Sequence, residues 1–539
     1  MLAQLTCPSA LRVASWYVDP AAPPGGIGRV AANAFYTIQH AFNVASPGDH
    51  IVLLPGVYAG HGNVNLIAPT GLTVVAPGGP AATVVDCKSH PTPCRFITFQ
   101  GGGSAGTTVS GVAVANGVTN SGGGAIVVDG TLGVVLHNIA VRNCSNLDDH
   151  VGTVASSRPT AGGGGITIFS PANTVVKDVN LVDCHAVRGG GLWVIGDATD
   201  NHAPVLDGVS ATDCTAVVAG GGMGFGSGLG AAVVSNSTFK GCMAESGGGI
   251  WVGRALGAMP RGIVQVFDGV TVTGCRAVTG GGVFVTATDV GGTVSTGDAS
   301  VTTASFSRSV LTHNLAERGG GVLVGQGSHF LAVQTELAYN TAGEALTQLP
   351  AEIVRIAFAG SMCSTASVAA PPVSVGGVPS TFRPRSLTQD GGAVMVQLFG
   401  TLGITNCSLH DNEAYFGGAI GVSDSKAIVV TSNVARNRAT ASGGAMHVTY
   451  TVDPPVAFVR LEDATLEGNE AGQDGGAVWS DIALVVVQGG TLRANVATRG
   501  AHVCVYALAS MRSCVAGWLR GCAWPQAECS HVVCMVRAS

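Results

Sequence analysis

The chain has 539 residues, a formal net charge of -6 and 11% charged residues, while glycine alone contributes 80. Charge is less than half of the roughly one quarter usual in a soluble domain, and no basic run or stripe is present, which speaks against a nucleic-acid partner. The uncharged stretch Cys214 to Phe239 is interrupted by glycines throughout, which excludes a membrane-spanning helix there.

The first fifteen residues, Met1 to Ser15, lack a basic leader region and a clean apolar segment, so no signal peptide is read in them. Tyr36 to Tyr58 then combines two signals. Ile38, Ala41, Phe42 and Ala45 recur at helical spacing, and after a Pro-Gly-Asp turn a buried-type strand ends at Pro55-Gly56. This predicts a short amphipathic helix capping the open end of a repeat body, with residues 1–60 as cap and first rung.

From there glycine pairs or triplets return at Gly122, Gly162, Gly189, Gly220, Gly247, Gly280, Gly319, Gly391, Gly417, Gly443 and Gly475. Self-similarity at this period predicts a stacked solenoid over 61–500. One unit reads as an apolar residue, two spacers, Cys or Asn, a few variable residues, glycines, then apolar-x-apolar. Leu181–Val194 and Leu409–Val422 are two copies. The glycines read as corners. The position before them forms a predicted inward ladder of Cys144, Cys184, Cys214, Cys242, Cys275, Asn314, Asn412, Asn437, Asn469 and Asn495. Because Asn takes over the position, its cysteines read as buried thiols. Six residues earlier, Asn138, Asp178, Asn236, Asn406 and Asp463 read as turn residues at another corner. The expected fold is all-β: a single-stranded right-handed parallel β-helix of about 11–13 rungs. A Pro-, Ser- and Ala-rich insertion is expected at about 341–389. Five further cysteines (Cys504, Cys514, Cys522, Cys529, Cys534) mark 501–539 as a cap or tail.

The cap segment resembles the entry of the pectin-lyase-like superfamily of right-handed parallel β-helices. The LxxN…GGAI units, clearest at Leu409–Ile420 and Leu466–Val478, are similar to the FxxN and GGA[ILV] repeats of chlamydial polymorphic outer membrane proteins. That resemblance implies a surface-exposed or extracellular body used in adhesion, with a glycan or a host or partner surface protein as its ligand. The superfamily also implies an alternative, a polysaccharide lyase or glycoside hydrolase, because such enzymes set acidic residues on neighbouring rungs.

For that alternative the candidates are Asp183 and Asp213, each just before a ladder cysteine on successive rungs, with Arg188 nearby and Asn143 continuing the column. Beyond Asp213 the column reads Gly241, Gly274 and His313, without further acid. Asp148, Asp149 and His150 form a second acidic group. The loops holding Asp197, Asp200, Asp289 and Asp298 lack the alternating ligand spacing of a calcium loop. No metal, cofactor or nucleotide is expected. The strand after each glycine corner places its middle residue outward: Trp193, Trp251, Phe284, Leu323, Met395 and Trp479 form an apolar stripe suited to glycan rings or a protein partner. The main expectation is therefore a non-enzymatic adhesion or interaction protein.

Overall fold

A computed structural model describes residues 13–88, 90, 93–146, 162–169, 173–196, 203–226, 232–253, 263–287, 301–343, 391–449, 457–481, 483–500, 503–506 and 531–534. The chain forms the predicted parallel β-helix, with strands in three sheets of 27, 11 and 14 members. One rung shows the plan. Val175–Val182 runs along the first sheet, His185–Arg188 along the second and Leu192–Ile195 along the third. Each pairs in parallel with its counterparts one rung before and after, as Val182 does with Arg142 and Thr212. The fourteen strands of the third sheet exceed the expected rung count. The early strands Leu66–Ile67 and Ile97–Gln100 belong to it without a preceding glycine corner, so the sequence period does not reveal them. His531–Cys534 closes the far end by pairing antiparallel with Leu484–Gln488.

The entry helix spans Ile38–Val44 and buries Ile38, Ala41 and Phe42, while the Thr37 hydroxyl accepts the His40 amide as N-cap. Beside it Asp49 accepts from the Ala14 amide and from Trp16 Nε1, tying the first strand to the turn after the helix.

The corners follow from backbone conformation. Left-handed backbone recurs at Asn138, Asp178, Asn236, Asn406 and Asp463, with φ of 52°, 52°, 50°, 53° and 49°, which explains Asn and Asp there. At the third-sheet corner the first glycine has positive φ, 58° at Gly189, and the later ones are needed for close approach. A Cβ on Gly191 would lie 2.6 Å from the Gly222 carbonyl oxygen of the next rung.

Inside, the ladder changes chemistry midway. The five cysteines from Cys144 to Cys275 are free and buried, and each Sγ–H donates to the carbonyl two residues before it, at 3.4–3.6 Å from Cys144 to Cys275. Burial pushes Cys144 up to about 12, so it stays a thiol at neutral pH. From Asn314 onward carboxamides take over. Asn314 Nδ2 donates to Asn340 Oδ1 at 3.0 Å, and Asn340 Nδ2 to Asn412 Oδ1 at 3.1 Å. The chain continues through Asn437 and Asn469 to Asn495. Asn340 is a ladder member that the sequence reading missed, because the insertion follows it directly and the next glycine corner does not come until Gly391. A second ladder, of hydroxyls and one thiol, runs parallel to it: Ser309 accepts from the Val270 amide, Cys407 from Thr335 and Ser432 from Cys407. Cys87 and Cys94 are joined in a disulfide.

Candidate functional site

The apolar stripe is a covered layer for most of its length. Trp193, Trp251, Leu323 and Met395 are each 1% exposed, while Phe284 and Trp479 are half-buried. Trp193 and Trp251 lie two rungs apart in register, with Gly224 between them. A Cβ on Gly224 would collide with the Trp193 ring, so the glycine leaves room for that indole to reach across and stack on Trp251 at 5.6 Å. Val187, Ile195, Val218 and Ala219 complete this outer apolar cluster, separate from the main core. An open ring-binding face is therefore not what these four residues provide. Further along, His447 lies in register with Gly421 and is stacked between Phe416, at 4.5 Å, and Trp479, at 4.4 Å. Burial pushes His447 down to about 3, keeping it neutral.

Asp183 and Asp213 do stack on successive rungs, as the register Val182 with Thr212 requires. Both occupy a left-handed corner, φ 53°, between the first and second sheets. The same corner holds Asn116, Asn143, Gly241, Gly274 and His313 at φ between 49° and 65°. Asp and Asn are thus explained first by backbone preference. Asp183 accepts from or pairs with His185 Nε2 at 3.2 Å, both side chains being about half exposed at 59% and 48%. Arg188 ends the second-sheet strand and lies in register with Ala219, away from the corner. Asp148, Asp149, His150, Asp197, Asp200, Asp289 and Asp298 lie outside the described residues.

The corner column does not stop at His313. It continues as Tyr339 and, across the insertion, as Asp411 and Arg436, with φ of 55°, 54° and 53°, and here side chains from four rungs converge. His410, last residue of the strand Ser408–His410, has a carboxylate on each ring nitrogen: Asp411 Oδ2 at 2.7 Å from Nδ1 and Glu336 Oε1 at 3.3 Å from Nε2. Its partners in register are Ala338 and Ala435. Arg436 grips Asp411 with two hydrogen bonds, Nε to Oδ1 at 3.0 Å and Nη2 to Oδ2 at 2.7 Å. That guanidinium, with partial burial opposing it and His410 adding to it, holds the Asp411 carboxyl below its ordinary 3.8. Tyr339 stands edge-on to His410, ring centres 5.7 Å apart, and its other neighbour is His313, stacked at 5.0 Å. The Tyr339 ring is 48% exposed, and the His410 side chain 18%.

This group contains the parts of a proton-transfer site: an imidazole oriented through both nitrogens, an accessible phenol, and a guanidinium fixed beside them. Sequence reasoning missed it for a physical reason. Glu336 and Tyr339 share one rung, His410 and Arg436 lie on the next two, and they meet only through register across the 344–390 segment.

No family model and no curated protein matches the chain. Among solved structures it is similar to the catalytic domain of a GH87 alpha-1,3-glucanase (10% identity, 88% of this chain and 66% of that one, TM-score 0.35). It is also similar to a periplasmic alginate epimerase (9% identity, 79% and 84%, TM-score 0.32) and to a PL6 family alginate lyase (10% identity, 91% and 79%, TM-score 0.23). The chain spans about two thirds, 66%, of the glucanase chain it matches. The expectation of a non-enzymatic adhesion protein is corrected by this comparison, since the matched chains are enzymes acting on polysaccharides. Likeness at this level assigns no activity. An enzymatic reading of this chain has to rest on its own side chains.

Proposed function

We propose that the protein is a carbohydrate-active enzyme, a polysaccharide lyase or glycoside hydrolase of pectin-lyase-like type, with its chemistry at His410. The observation that carries this is the imidazole held between Asp411 and Glu336 with Tyr339 at its edge. A lyase step suits the group better than hydrolysis. Hydrolysis generally needs two carboxylates free to act on opposite sides of the bond, and here both are engaged by His410, one also by Arg436. In the elimination, neutral His410, its Nδ1–H donated to Asp411, takes a proton from a sugar carbon on an Nε2 that the substrate frees from the longer 3.3 Å contact with Glu336; the electron pair forms a C=C bond, and the glycosidic C–O bond breaks. The Tyr339 hydroxyl delivers a proton to the leaving oxygen.

The ligand is then a glycan, and a location outside the cell or at its surface follows from the substrate class. The likeness of Leu409–Ile420 and Leu466–Val478 to repeats of chlamydial polymorphic outer membrane proteins supports that location. Neither a nucleic acid nor a membrane-spanning helix enters the proposal.

A panel of acidic and neutral polysaccharides tests it, with unsaturated products read by ultraviolet absorbance and new reducing ends read in parallel. His410→Ala should lower turnover at least about 100-fold, the scale of lost general acid–base catalysis, and Tyr339→Phe should lower it too. Turnover unchanged in His410→Ala, or no turnover of any polysaccharide, would overturn the reading.

A further inference from the structure

Between Asp213 and His313 the corner column crosses two rungs without side chains, Gly241 and Gly274, at φ of 64° and 65°. They are not equivalent. The Asp213 carboxylate lies over Gly241, where a Cβ would collide with it. A Cβ on Gly274 would meet nothing nearer than the Gly241 amide nitrogen at 3.9 Å, so the backbone there faces open space. Cations stand on both flanks. Lys240, exposed, ends a first-sheet strand in register with Thr273, the residue before Gly274. Arg276 opens the second-sheet strand two residues after Gly274, in register with Met243 and Leu315. Neither is ion-paired to a described residue, unlike Arg308, Arg436 and Arg493 on the same body. The Thr312 and Thr273 hydroxyls, 3.3 Å apart, line the way to the next rung.

An open backbone floor with a cation to either side that is ion-paired to no described residue suits an anion, and the adjoining Asp213 carboxylate and threonine hydroxyls suit sugar hydroxyls. Gly274 also lies three rungs from Asp411 in one continuous column, about 14 Å at the strand spacing. We propose that the Gly274 corner, with Lys240 and Arg276, is a subsite for the anionic group, carboxylate or sulfate, of a polysaccharide lying along the corner column toward His410. This rests on the reading of the protein as a polysaccharide-acting enzyme.

The variants are Lys240→Gln with Arg276→Gln, and separately Gly274→Asn. The second fills the open space with a residue type this corner already accepts, since Asn143 sits there at φ 49°. Binding is measured by calorimetry and by affinity electrophoresis in the His410→Ala background, so that turnover does not intrude. The probes are polygalacturonate oligomers, dextran sulfate and neutral dextran; thermal unfolding checks that each variant folds. Retention of the two anionic probes, weakening with salt, with at least a tenfold loss of affinity in both variants, is the expected result. The stronger of the two anionic probes identifies carboxylate or sulfate as the source. Equal binding of neutral dextran, or anionic binding unchanged in both variants, would overturn the subsite. Binding that depends on Lys240 and Arg276 without turnover in the unmutated protein would leave the subsite standing and sink the enzymatic reading instead.

Discussion

At Asn412 one carboxamide satisfies four buried polar groups on three residues. Its Oδ1 accepts from the amide and Nδ2 of Asn340, and its Nδ2 donates to the Leu337 carbonyl and to Asn437 Oδ1. The cysteines of the same column make weaker sulfur contacts, such as Cys214 Sγ–H to the Thr212 carbonyl at 3.5 Å. Removing a partner from a buried hydrogen-bond chain costs far more than removing a weak one. Asn412→Ala should therefore lower stability by about 4 kcal/mol, whereas Cys214→Ala should cost about 1–2 kcal/mol, mostly lost packing. Urea unfolding of the two variants checks the ordering; equal losses would mean that the carboxamide chain adds little. The ladder itself was legible in the sequence, because Cys and Asn share one offset from the glycines. Asn340 was not, since the insertion separates it from the next corner at Gly391.

A rung is defined by where its backbone turns and how closely it meets the next one. Positive φ at the corners favours Gly, Asn or Asp, and this explains Asp183 and Asp213, the two described acidic residues that first suggested catalysis. The glycines deeper in the corner answer a different demand. Gly191 needs no left-handed backbone, but a Cβ there would lie 2.6 Å from the Gly222 oxygen and 3.2 Å from Leu181 Cδ1. Gly191→Ala should thus prise two rungs apart and cost about 3 kcal/mol, seen as a lower thermal midpoint. A wild-type midpoint would show that the corner yields. The strands after these corners point their middle residues outward, as alternation requires. What lies beyond that face is not written in the alternation, and Trp193 and Trp251 prove to be buried.

Across the whole molecule each rung touches chiefly its neighbours, so stability adds up along the rod. Several of the ties between rungs are ionic. Arg308 bonds Asp268 of the preceding rung and Arg436 bonds Asp411, and in each case the arginine hydrogen bond is the largest influence holding the carboxyl below 3.8. A carboxyl lowered on folding contributes stability that is complete above its unfolded value and disappears as pH falls through the folded one. The urea midpoint should accordingly decline as pH drops below about 4, and Asp411→Asn should flatten that decline. A flat profile down to pH 2 would exclude these pairs as contributors. The sequence by itself determined the solenoid, its corners, its inward ladder and its entry helix, because these depend on local backbone conformation and on a period visible along the chain. Only the tertiary structure decided which side chains stay accessible and which meet. Glu336, Tyr339, His410, Asp411 and Arg436 come together because successive rungs stack in register across an insertion, a relation that spacing along the chain does not carry.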